Sequence, residues 1–183
     1  MRLKLIQAPM VEPVSLDEAK GFLRVDSADD NALISALITA AREFVEVSTL
    51  RALITQTWEM ALDGAGQEIR IPRPPLQTGI KIETVDEAGV KTEVDPAIYD
   101  VELGQGSPGR VRLRSGCAWP AHRGFASFIV TFKAGYGDAA DAVPGALREA
   151  LFRVLGHFYE GRQGEDLPAG VQALMRPYKV IYL

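Results

Sequence analysis

The chain has 183 residues, is 47% hydrophobic and 24% charged, and carries a net charge of −4. That length and balance allow a sizeable core and exclude wholesale disorder. The acidic excess argues against tight non-specific nucleic-acid binding, which needs a basic face.

The amino-terminal MRLKLIQAPMVEP has no apolar stretch long enough for a signal peptide. Nowhere does an apolar run approach the roughly 18 residues of a membrane span. Ser15-Leu16-Asp17-Glu18 has the form of a capping box, and Ala19, Phe22 and Leu23 give the following helix a short apolar face. A second helix is expected from the acidic, cap-forming residues Ser27 to Asp30. Leu33, Ile34, Leu37, Ile38, Ala41, Phe44 and Val45 carry it by steps of three and four, to an end near Ser48 to Leu50.

From about Leu53 to Ala134 the period changes to two. Trp58, Met60 and Leu62 share a face, Ile69 and Ile71 alternate, and Pro72, Pro74 and Pro75 stop the pairing. Ile80 and Ile82 alternate next, and Asp86-Glu87-Ala88-Gly89 reads as a hairpin turn into Val90 to Val94. Tyr99, Val101 and Leu103, then Val111 and Leu113, then Phe128, Val130 and Phe132 mark further strands. Short strands between Gly/Pro-rich turns predict an antiparallel sandwich or small barrel. A third helix is expected to start at Pro144 and carry Leu147, Leu151, Val154, Leu155 and Phe158. Phe152 and Tyr159 lie round from that stripe, so this helix has a second apolar side. The tail ends in an apolar, strand-like run, Val180 to Leu183, after Pro177. The expected fold is α+β. A small helical bundle (1–52 and 136–183) of two amino-terminal helices and a long carboxy-terminal helix carries an antiparallel β-sandwich or barrel-like insertion (53–135).

Few residues suggest chemistry. Gly135-Tyr136-Gly137 with Ala140 fits a loose G-x-G-x-x-A pattern after a strand. A dinucleotide site needs the helix to begin inside that motif, and Pro144 comes several residues too late. A glycine corner is the better reading. His157 sits inside the third helix. His122 and Cys117 fall in a loop, with too few ligands for a metal and nothing to orient a catalytic base. Arg110, Arg112 and Arg114 project from one strand face, and pairing with carboxylates such as Glu59, Glu83 or Glu102 explains them better than a phosphate site. The single cysteine excludes an internal disulfide and fits a reducing compartment. No catalytic residue, cofactor or metal site is assigned.

PVSLDEAKGFLRV with DDNALISALITAAREFVE resembles the opening of the head–tail connector, or adaptor, proteins of long-tailed phages and phage-like gene transfer agents. RALITQTWEMALD resembles the exit from the second helix in members that carry a β-insertion. GYG followed by VPGALREALFRVLGHFYEGR resembles their closing segment. The stretch from about Gly64 to Arg123 matches only in general character.

The resemblance implies a non-enzymatic ring subunit, about twelve copies docking under a portal protein at the head–tail junction of a virion or phage-like particle. Assembly would take place in the host cytoplasm, with no membrane involved. The ring would extend the DNA channel, pass DNA without specific binding, and offer a platform to the next head-completion or tail protein. It also implies portal docking through the carboxy-terminal region: Leu174, Met175, Tyr178, Val180, Ile181, Tyr182 and Leu183. Subunit contacts are expected on the third helix at Arg148, Glu149, Phe152 and Arg153, where apolar surface is flanked by both signs of charge. Two competing functions are a nucleotide- or phosphate-handling enzyme using Gly135 to Gly137, and a free-standing ligand-binding β module.

Overall fold

The computed structural model describes residues 1–161, 167 and 169–181. The chain divides into two compact units. One is helical, Pro9–Ile54 with Tyr136–Ile181; the other is built from strands, Met1–Ala8 with Thr55–Gly135.

In the helical unit, α1 (Leu16–Leu23) opens on the expected capping box: Ser15 accepts from the Glu18 amide, and Glu18 accepts from the Ser15 amide. The helix ends on Arg24 in the left-handed region, φ 58°. Helix α2 (Asn31–Thr49) likewise ends on a left-handed residue, Leu50. Asp30 is its N-cap by position, but its side chain makes no capping bond. The carboxylate instead accepts from the Tyr159 hydroxyl at 2.7 Å. Helix α3 (Gly145–Tyr159) starts just after Pro144, and a short fourth helix, α4 (Ala169–Met175), follows near the end. Ile34, Ile38, Leu147, Leu151, Leu155 and Val171 are buried in one core. Leu37, Phe44 and Phe158 pack at its border rather than inside it.

The strand unit has two antiparallel sheets. The larger runs in the order β1 (Arg2–Gln7), β2 (Gln56–Leu62), β8 (Phe128–Ala134), β4 (Lys81–Val85), β5 (Lys91–Glu93). The smaller runs β3 (Glu68–Ile71), β7 (Gly109–Leu113), β6 (Tyr99–Glu102). A chain of ring contacts, Tyr99 to Trp119 to Phe128, joins β6 to β8. Leu76 bridges to Ala134 on one sheet and leaves no room for a side chain at Gly109 on the other. The Asp86–Gly89 turn forms as read, with the Asp86 carboxylate accepting from the Val90 amide.

Two elements depart from the sequence reading. Residues 2–7, counted with the helical section, form edge strand β1 in register with β2, Arg2 opposite Ala61 and Leu5 opposite Trp58. Six residues exposed along most of their length carry little pattern of their own, and pairing to a strand some fifty positions away decides their state. The tail is the second case. Lys179 to Ile181 form no strand. Instead the Val180 amide donates to the Thr49 carbonyl at the end of α2, 3.0 Å. The last carbonyls of a helix lack intrahelical partners, and the tail amide satisfies one of them. Pro177 lies in a single 3-10 turn, Arg176–Tyr178, that follows α4.

Leu151 is fully buried between helices, so Leu151→Ala is expected to lower stability by about 2–5 kcal/mol in chemical denaturation.

Candidate functional site

Any chemistry would centre on the glycine corner. Gly135 has φ 138°, a conformation that favours glycine. A Cβ on Gly137 would meet the Ala142 Cβ at 2.8 Å, so the turn packs against protein. The Tyr136 amide donates to the Leu53 carbonyl, and Gly137 bridges to Ile54. Helix α3 begins only at Gly145, so its amides do not face the motif. This is a corner that closes the helical unit. Burial pushes the Tyr136 phenol pKa up against the opposing pull of Arg51.

The histidines and cysteine do not converge. His122 lies on the Phe128 ring with Nδ1 2.8 Å from the Pro120 carbonyl, and His157 sits in the last turn of α3. Cys117 is half-buried. Among the described residues, no group of three or more His, Cys, Asp or Glu is placed to hold a metal ion. The arginine strand is paired as a solvated face: Arg110 with Glu102, directly opposite it, and Arg114 with Asp100 at 2.8 Å.

The strongest polar construction lies in the helical unit. Arg42 is 5% exposed and holds Glu12 at 2.8 Å and Glu46 at 2.9 Å. The other oxygen of Glu46 accepts from the Leu53 amide at 2.8 Å. Burial works against the Arg42 charge, but Glu46 and Glu12 outweigh it and hold the guanidinium above its ordinary pKa. Nearby, buried Arg51 donates through Nε to the Tyr178 carbonyl. Together with Val180 on Thr49, this fastens the last turn of the tail to the end of α2.

The expected portal-docking residues therefore have distinct environments. Met175 and Val180 are buried, Leu174 and Tyr178 are half-buried, and Ile181 is 71% exposed. Tyr182 and Leu183 lie outside the described residues. On α3, Arg148 donates to the Pro13 carbonyl and to Glu18, and the Phe152 ring packs on Phe22 at 5.2 Å. Glu149 and Arg153 form an outward i,i+4 pair. The second apolar side of α3 is thus largely covered within the unit. Sequence reading missed the bare face, which is on α2. Leu33 and Val47 are 50% and 62% exposed, and Ala32 and Ala36 also face out.

Residues 13–88 match the family model of the phage gp6-like head-tail connector proteins. The whole chain is similar to a chain in the neck of an empty GTA particle solved with C6 symmetry, at 25% identity and TM-score 0.87. That likeness covers 100% of this chain and 97% of the other. The fold is that of this neck chain. Chains in the virion of a native gene transfer agent particle and in a native GTA neck solved with C12 symmetry have the same fold, each at 24% identity, with TM-scores of 0.84 and 0.80. Both cover 100% of this chain and 97% of theirs. No curated protein sequence matches the chain. The family match takes in the capping box, α2 and the exit from α2. The closing connector segment, GYG through α3, lies beyond it and is covered by the structural likeness.

Two outcomes follow from the polar contacts. Arg42→Ala leaves Glu46 buried without its cation and is expected to cost about 3–5 kcal/mol by chemical denaturation. Glu18 is held below the usual carboxylate pKa, first by the Ser15 amide, with help from Arg148. A depressed carboxylate stabilises above its unfolded pKa, and the gain is lost as pH falls through the folded value. The melting-temperature gap between wild type and Glu18→Gln is expected to be full at neutral pH and to close in acid.

Proposed function

We propose that this chain is a structural adaptor that joins head to tail in a phage-like particle, as one subunit of a ring at the junction. The observation that carries this reading is the end-to-end likeness to a neck chain of a GTA particle, together with the connector family match. Both indicate a structural virion component. In this reading the ring docks under a portal protein, carries about twelve copies, extends the DNA channel and presents a platform to the next head-completion or tail protein. It has no catalytic task. DNA passes without specific contacts, in keeping with the net charge of −4.

The helical body, 9–54 with 136–181, and the β-section, 55–135, then serve one assembly, the helices supplying subunit contacts and the tail supplying portal contacts. Leu174, Tyr178 and the chain from Ile181 onward are the portal-facing part of the tail. Met175 and Val180 act as its anchor, since both are buried in the helical unit. Isolated subunits can be monomers in this scheme, because a template raises the local concentration that a weak lateral contact needs.

The test separates anchor from docking end. Deleting Pro177 to Leu183 removes Val180 from the core, whereas ending the chain at Val180 does not. The shorter deletion is expected to melt like wild type and to yield DNA-filled heads without tails by electron microscopy. Tailed particles from that variant place portal docking elsewhere. Absence of the wild-type chain from purified particle necks overturns the adaptor reading itself.

A further inference from the structure

Helix α2 has two faces of opposite use. Ile34, Ile38, Ala41 and Val45 turn into the core. Leu33, Ala36, Ala40, Glu43 and Val47 follow at steps of three and four on the opposite side, since each residue turns the helix by about 100°. All five are exposed or half-buried, and Glu43 is the only charge among them. The exposed positions of α1 and α3 are mixed by contrast, with Asp17 and Glu18 beside Phe22 on the first and the Glu149–Arg153 pair on the second. A long helix whose outer face is alanine, leucine and valine is dressed for another protein surface.

The same unit carries a ridge that complements this face. Phe22, 45% exposed, packs on Phe152 and lies over Gly156, where an added Cβ would meet its ring at 3.2 Å. Arg24 and Arg153, both exposed, flank it. So one surface is made of small and aliphatic residues with one acid, Glu43, 3.6 Å from its own Arg42, and the other is aromatic, with Arg24 and the Glu149-paired Arg153 close to it in sequence. The ridge belongs to α1 and α3, which pack on the inner side of α2, so the bare stripe points away from it. A single molecule cannot bring the two together.

We propose that the outer face of α2 receives the Phe22/Phe152 ridge of a second copy of this chain, with Arg153 of that copy meeting Glu43. The contact is heterologous, one patch on a different patch, which is the arrangement that generates a ring when the rotation closes. Alanines at 36 and 40 let an aromatic knob approach the helix closely, and the single acid fixes which way the ridge lies. This rests on the ring-adaptor reading and assigns the two sides of its lateral joint.

The decisive measurement is disulfide trapping in assembled particles, on a Cys117→Ser background. With Phe22→Cys and Ala40→Cys in the same chain, oxidation is expected to give a ladder of covalent multimers on a non-reducing gel. Each single variant is expected to stay monomeric. A double variant that stays monomeric in particles whose necks contain the ring overturns the joint while leaving the adaptor reading intact. Dimers from Ala40→Cys alone overturn it too, because they mean that α2 meets α2. Ala40→Glu, which leaves the monomer's core untouched, provides a second readout. Its melting curve is expected to match wild type while its incorporation into particles falls about tenfold or more. Normal incorporation overturns the joint. If wild-type chain is missing from necks altogether, the adaptor reading fails and the joint with it.

Discussion

The helical unit depends on how α2 ends. Leu50 takes a left-handed conformation, the chain turns back, and the buried Leu53 amide needs an acceptor. Glu46 supplies it with one oxygen and binds Arg42 with the other. Arg42 in turn reaches Glu12, in the lead-in to α1. Three stretches of chain are thus locked by two carboxylates around one guanidinium. A buried charge is tolerable only when paired and hydrogen-bonded on all sides, so this arrangement specifies one geometry more than it adds stability.

The same helix end holds the tail. The Thr49 carbonyl, an orphan of helix geometry, takes the Val180 amide, while Arg51 takes the Tyr178 carbonyl. These are contacts to tail backbone, so they set where the chain lies with little regard to which side chains it carries. Beyond them Ile181 is exposed. In the proposed docking, a tail fastened up to a defined point has already spent the ordering entropy of its anchor.

Function in such a protein is a matter of surfaces. The glycine corner, Arg110, Arg114 and His122 are each engaged by neighbours in the same chain, and among the described residues the outer side of α2 is a bare apolar face of the helical unit. An apolar helix face in water has an unfavourable hydration that a second copy relieves, and a weak joint of this kind is enough when repeated round a ring on a template.

Much of this was legible in the sequence for a local reason. The Ser15–Glu18 box, the extent of α2 and α3, and the Asp86–Gly89 hairpin rest on contacts within a few residues, so spacing encodes them. The connector resemblance likewise rested on short segments in order. What sequence did not settle was decided by partners far away in the chain. Strand β1 exists because of β2. Glu12 meets Arg42 across thirty residues, and Tyr178 meets Arg51 across more than a hundred. The apolar sides of α2 and α3 look alike as patterns. Only packing shows that Phe22 and Asp30 engage the second side of α3 while nothing covers the outer side of α2 among the described residues. Periodicity reports that a face is apolar. Which face stays in water is fixed by the three-dimensional placement of neighbours, and that is not a property of spacing.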